Sequence, residues 1–109
     1  MRMRRKNNLE PRMAACSEWQ ITDAAALQGN WRSLKPDCTA LWVEVGCGKG
    51  KFTVETAQAN PDVLMIAIER CREAMVVAME KAKAMELKNV FFVDMDVALM
   101  EGCFAFGEI

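Results

Sequence analysis

Three glycines within five residues, Gly46-Cys47-Gly48-Lys49-Gly50, follow directly on the apolar run Ala40-Leu41-Trp42-Val43-Glu44-Val45. No other feature constrains the fold as much. A short apolar run bounded by glycine reads as a buried strand. Glycine supplies the positive-φ backbone that a tight turn into a helix requires. Lys51 to Ala59 continues as a helix and ends at Asn60-Pro61, because proline disfavours the helical state in the residue before it. Val63-Leu64-Met65-Ile66-Ala67-Ile68 is a second buried strand, with Glu69 at its end. Arg72 to Leu87 is the strongest helix. Met75, Ala78, Met79, Ala82 and Met85 recur at helical spacing, and Glu80, Lys81 and Lys83 fill the other faces. Val90-Phe91-Phe92-Val93 is a third strand, followed by Asp94-Met95-Asp96. A short turn or helix, Val97 to Met100, precedes Gly102.

Strand, helix, strand, helix, strand is the order of parallel strands joined by crossovers. The strands are apolar throughout, as expected of a sheet covered on both faces. The sequence therefore predicts an α/β chain, one half of a doubly wound sheet. Residues 37–109 make up this half. Residues 1–36 precede it as a basic arm, read as irregular over 1–12, and a mixed segment with short helical pieces. Thr22 and Asp23 are N-cap candidates there.

Composition narrows the chemistry. The 109 residues carry a net charge of −1, which excludes a uniformly basic nucleic-acid binder. Charge is uneven, however. Arg2, Arg4, Arg5, Lys6 and Arg12 stand against Glu10 in the first twelve residues. Such an arm is either a solvated terminus or a contact for phosphates. There is no histidine, so Ser-His and Cys-His catalysis and His-ligated metal are excluded. The five cysteines, at 16, 38, 47, 71 and 103, form no Cys-x-x-Cys pair. They read as reduced thiols of a cytoplasmic protein, with no metal. No apolar run approaches the roughly 20 residues of a membrane helix, and no signal-peptide core follows the basic start.

The glycine loop discriminates among ligands by spacing. A Walker loop needs a glycine at position 45 and Ser or Thr after Lys51; Val45 and Phe52 stand there. A dinucleotide loop needs its third glycine at position 51, and the third glycine is Gly50. The remaining pattern, Glu44-x-Gly46-x-Gly48-x-Gly50, resembles the cofactor motif of class I methyltransferases that use S-adenosylmethionine. That ligand needs close backbone approach at Gly46 and Gly48. It also needs a carboxylate for the ribose, for which Glu69 is placed, and a polar partner for adenine, for which Asp96 is placed. Asp94 competes with Asp96, whose alternative reading is an ordinary N-cap for residues 97–100. Glu44 has a lesser reading as a paired structural carboxylate.

The likeness extends further. Arg2 to Arg5, Asn8-Leu9-Glu10-Pro11-Arg12, Gly29-Asn30-Trp31-Arg32, Leu41 to Thr53, Ile68-Glu69-Arg70, Ala74-Met75 and Asn89-Val90-Phe91-Phe92 together resemble the bacterial tRNA (guanine-N7)-methyltransferases. The resemblance implies a Rossmann-like class I methyltransferase fold, cut short after about the third strand. It implies methyl transfer from S-adenosylmethionine to N7 of a variable-loop guanine, with cofactor positions at Glu44, Gly46, Gly48, Glu69 and Asp96. The partner implied is tRNA, met by Arg2, Arg4, Arg5, Lys6 and Arg12. The family's catalytic loop is expected beyond Ile109, so this chain is expected to hold the cofactor half and to be inactive alone. A half sheet leaves an edge open to self-association. The alternatives are a stand-alone S-adenosylmethionine or nucleotide-binding module and a non-catalytic RNA-binding fragment.

Overall fold

The computed structural model describes residues 8–109. Its centre is a parallel sheet of four strands in the order β1-β4-β3-β2. The strands are β1 (Gln20–Ile21), β2 (Ala40–Val45), β3 (Val63–Glu69) and β4 (Val90–Asp94). Three α-helices accompany them: α1 (Leu9–Ala15), α2 (Lys51–Ala59) and α3 (Arg72–Ala84). Parallel neighbours cannot be joined by a tight turn, so α2 connects β2 to β3 and α3 connects β3 to β4. The α/β order expected from the sequence is the one observed. The strands end in step, with Val45 paired to Ile68 and Glu69 paired to Asp94.

The inner strand β3 is buried from Val63 through Ile68. Its side chains alternate between the two faces and so feed two cores. Met65 and Ala67 meet Val54 and Ala57 of α2 and Met75, Val76 and Met79 of α3. Leu64, Ile66 and Ile68 meet Leu41, Trp31 and Phe104 on the other face. That second face is covered by short 3-10 segments, Trp31–Leu34 and Val97–Cys103. Trp31 is fully buried and stacks on Phe104 with ring centroids 4.9 Å apart. Its Nε1 donates to the Cys103 carbonyl at 2.7 Å.

Two polar side chains tie off the connections. The buried Asn89 amide donates to the carbonyls of Ala57, Asn60 and Val63 at 2.9, 2.9 and 3.0 Å. It thereby joins the end of α2 and the starts of β3 and β4. The Glu108 carboxylate accepts the N–H groups of Gly29, Ala105 and Trp31 at 2.8, 2.9 and 3.1 Å. This clasp holds Trp31 in its core.

Four local expectations are corrected. The arm read as irregular through residue 12 is helical from Leu9. Pro11 is tolerated because it lies in the first turn, where an N–H has no intrahelical acceptor. The segment read as helical pieces holds 3-10 turns at Ser17–Trp19, Ala25–Leu27 and Trp31–Leu34, but also β1, whose two residues pair with Phe92 and Val93 and are too few to show a period. Helix α3 ends at Ala84, short of Leu87, because Glu86 turns left-handed (φ 54°). Glu86 and Leu87 then donate back to Lys83 and Ala82, a left-handed helix closure. Finally, the cover is incomplete: β2 is an edge strand, and Trp42 and Val45 are 42% and 50% exposed.

Gly50 shows how tightly the first core closes. It caps α2 at φ 82°, and a Cβ there would meet Ala78 of α3, with the Ala78 Cα only 2.8 Å away. Gly46 also has positive φ (74°), but open space surrounds it. Gly50→Ala therefore combines a left-handed backbone cost with overpacking, about 2–5 kcal/mol of stability in all. Gly46→Ala carries only the backbone part, about 1–2 kcal/mol. Denaturant unfolding of the two variants checks the difference.

Glu108 gives a pH signature. Partial burial pushes its carboxyl up, but the N–H donors of Ala105, Gly29 and Trp31 outweigh this and hold it below the ordinary value of 4.5. A depressed carboxyl stabilises the fold fully above its ordinary value and loses that contribution as pH falls through the folded value. Glu108→Gln should thus melt below the parent chain at neutral pH. The gap should close as the pH drops below the ordinary glutamate range, a trend that thermal melts followed by circular dichroism will detect.

Candidate functional site

The three long strands deliver their C-terminal ends to one edge of the sheet, where ligands bind in open parallel sheets. Beyond β2 the chain turns at once. Gly46 and Cys47 donate to the Ile68 carbonyl at 2.7 and 3.3 Å, and Gly50 donates to the Cys47 carbonyl at 3.0 Å. Positive φ at Gly46, Gly48 and Gly50 makes this path available. A Cβ at Gly46 or Gly48 would meet nothing within 4 Å, whereas one at Gly50 would strike α3. The first two glycines thus leave backbone uncovered, and the third serves packing.

Glu69, the last residue of β3, fixes the loop. Its Oε1 accepts the Gly48 N–H at 2.8 Å and its Oε2 accepts the Cys71 N–H at 3.0 Å. One carboxylate bridges the loop after β2 and the entry to α3. Each oxygen keeps a further lone pair for an incoming hydroxyl.

Beside Glu69 lies a cavity of about 300 Å³. Val45, Ile68, Met95 and Val97 form its apolar walls, and Gly46 contributes bare backbone. Glu69, Arg70 and Asp96 are its charged residues. Asp96 Oδ1 accepts the Ala98 N–H at 3.0 Å, and Oδ2 lies 3.3 Å from the Arg70 guanidinium. The Ala98 N–H, more than the charge of Arg70, holds the Asp96 carboxyl below its usual range against a smaller opposing effect of burial. Asp96 is both an N-cap for the following 3-10 segment and a wall of the cavity, so the two sequence readings are compatible. Asp94, its competitor, pairs with Arg72 instead, at 3.4 Å.

The other sequence-predicted positions fall around this centre. Gly46, Glu69 and Asp96 line one cavity, and Gly48 is joined to it through Glu69. Glu44 does not line it; its carboxylate accepts the hydroxyl of the fully buried Thr53, in the first turn of α2. Thr53 carried no sequence signal of its own beyond following the loop. Arg70 was legible only as part of the Ile68-Glu69-Arg70 likeness. Arg12 packs against α3, its guanidinium paired with Glu80 through both Nε and Nη2. Arg2, Arg4, Arg5 and Lys6 lie outside the described residues. Cys47 stands in the loop, but burial, with Glu44 and Glu69 adding to it, pushes its thiol up to about 12. It is therefore no thiolate nucleophile at neutral pH.

Residues 39–109 match a family model described as "Putative methyltransferase". Along its whole length the chain is 37% identical to the tRNA (guanine-N(7)-)-methyltransferase of Halalkalibacterium halodurans. It is 36% identical to the proteins of the same name from Geobacillus thermodenitrificans and Lacticaseibacillus casei. These matches take in 100% of the chain and 50%, 50% and 51% of the three relatives. The chain thus spans about half the length of the curated relatives it matches. The segment matched by the family model holds β2, the glycine loop, α2, β3, α3, β4 and every wall of the cavity, and on that match the chain belongs to this methyltransferase family.

Proposed function

We propose that this chain is the cofactor-binding half of a tRNA (guanine-N7)-methyltransferase and that its cavity binds S-adenosylmethionine. One observation carries the reading: the carboxylates of Glu69 and Asp96 and the uncovered backbone of Gly46 converge on a single cavity at the C-terminal end of a parallel sheet. In this reading Glu69 accepts the ribose hydroxyls and Asp96 the adenine amine. The apolar walls hold the base, and Gly46 and Gly48 allow the amino-acid end to approach main chain. Glu44 serves the site from behind, through Thr53 at the root of α2. The donor set fits, since carboxylates match hydroxyl and amine donors and no phosphate-binding lysine is required.

The bound cofactor would supply an electrophilic methyl group. Guanine N7 carries its own lone pair, so the protein's task is to place and orient rather than to remove a proton. The basic residues Arg2, Arg4, Arg5 and Lys6 would meet tRNA phosphates, with binding that falls as salt rises. In this reading catalytic side chains belong to the half of the relatives that this chain does not span. The open β2 edge, with Trp42 and Val45 exposed, is then where a further strand or a second copy adds. Five free thiols fit a reducing, cytoplasmic setting.

The test is calorimetric titration of the chain with S-adenosylhomocysteine, with far-UV dichroism to establish folding. Saturable binding is expected. Glu69→Ala removes charged hydrogen bonds of about 1.5–3 kcal/mol and should weaken it roughly ten- to a hundredfold. A folded chain that takes up no S-adenosylhomocysteine, or a Glu69→Ala variant that binds as well as its parent, overturns the reading.

A further inference from the structure

Helix α1 lies along α3 in the same direction. Glu10 pairs with Arg72 at 2.9 Å, Arg12 with Glu80, and the Ala15 carbonyl accepts from Lys83 at 2.8 Å. Residue numbers rise together along both helices. The start of α1 therefore lies at the start of α3, the end of the sheet where β3 delivers Glu69. Helix α1 thus begins at the cavity's end of the fold. The rung nearest the cavity is Arg72, the first residue of α3. Its Nη2 reaches Glu10, and its buried Nε meets Asp94 Oδ2 at 3.4 Å as an ion pair without hydrogen-bond geometry. Asp94 ends β4, two residues before Asp96.

We propose that Arg72 is a positioning residue: by bridging Glu10 to Asp94 it fixes the root of the basic arm beside the cofactor cavity, so that RNA held by the arm is presented to the end of the sheet where the methyl group would lie. The inference rests on the reading of residues 2–6 as an RNA contact and adds how that contact is tied to the site. An exposed ion pair contributes little to stability. Its value here is geometric, since of the rungs between α1 and α3 it is the one at the cavity end.

The position of Glu10 separates this role from simple charge. Removing Arg72's charge weakens attraction for RNA, and removing Glu10's charge strengthens it. Both changes break the same rung. The experiment measures fluorescence anisotropy of labelled bacterial tRNA with the whole chain, Arg72→Gln and Glu10→Gln, over a range of salt. Calorimetry with S-adenosylhomocysteine and far-UV dichroism accompany it. Positioning predicts that both variants lose tRNA affinity, roughly two- to fivefold as an exposed pair allows. Cofactor affinity should stay within about twofold and the salt slope should be unchanged. A direct phosphate contact by Arg72 would instead lower the slope by about one. A Glu10→Gln variant that binds tRNA more tightly, or an Arg72→Gln variant with a reduced slope, overturns the proposal. A folded parent chain that binds S-adenosylhomocysteine but not tRNA overturns the arm reading, and this inference with it, while leaving the cofactor site standing.

Discussion

A strand that is apolar on both faces cannot be satisfied by one layer. From Val63 through Ile68, β3 offers no polar side chain, so both of its faces must be covered and its main chain must be paired on both edges. The rest of the architecture follows from this demand. Helices α2 and α3 cover one face, and the close approach at Gly50 and Ala78 lets them meet over it. The other face is covered from further away in sequence, by Trp31 and Phe104. The buried run stops at Glu69, and the first polar side chain of β3 therefore appears at the sheet's edge, where the glycine loop comes down to it. Core and site are one continuous strand, divided by a change of side-chain chemistry between Ile68 and Glu69.

Glu69, a wall of the cavity, also ties the local fold together. Its two backbone hydrogen bonds hold the loop and the entry of α3 at a fixed separation. Preorganisation of this kind lowers the ordering cost of binding. Arg70 and Asp96 order the far side of the cavity through an ion pair and a cap. The site is thus assembled from short-range contacts at the ends of three strands, and none of its walls is drawn from the opposite end of the sheet.

Where sequence signals were local, they were legible. The helix over Lys51–Ala59 could be read to the residue, because a glycine loop opens it and Asn60-Pro61 closes it. The three long strands stood out as apolar runs, and Glu69 and Asp96 could be placed by counting from their ends. What could not be read depended on partners far away in the chain. A two-residue strand has no period, so β1 is defined only by β4. Residues 1–12 read as irregular chain, and the burial of Met13 and the contacts of Glu10 and Arg12 with α3 hold a helix there. The exposure of Trp42 and Val45 follows from strand order, which composition does not encode. Thr53 acquires meaning only when Glu44, nine residues earlier, is seen beneath it.

Asn89 sits at the opposite pole from all of this. Its amide shares two protons among three main-chain carbonyls where α2 ends and β3 begins. At that pole these three acceptors are occupied and the occupying group is buried. The other pole keeps its lone pairs and bare peptide groups facing a cavity. A molecule with one silent end and one receptive end has a built-in orientation toward anything it meets. Changes at the silent end should therefore be felt as stability, and changes at the receptive end as recognition.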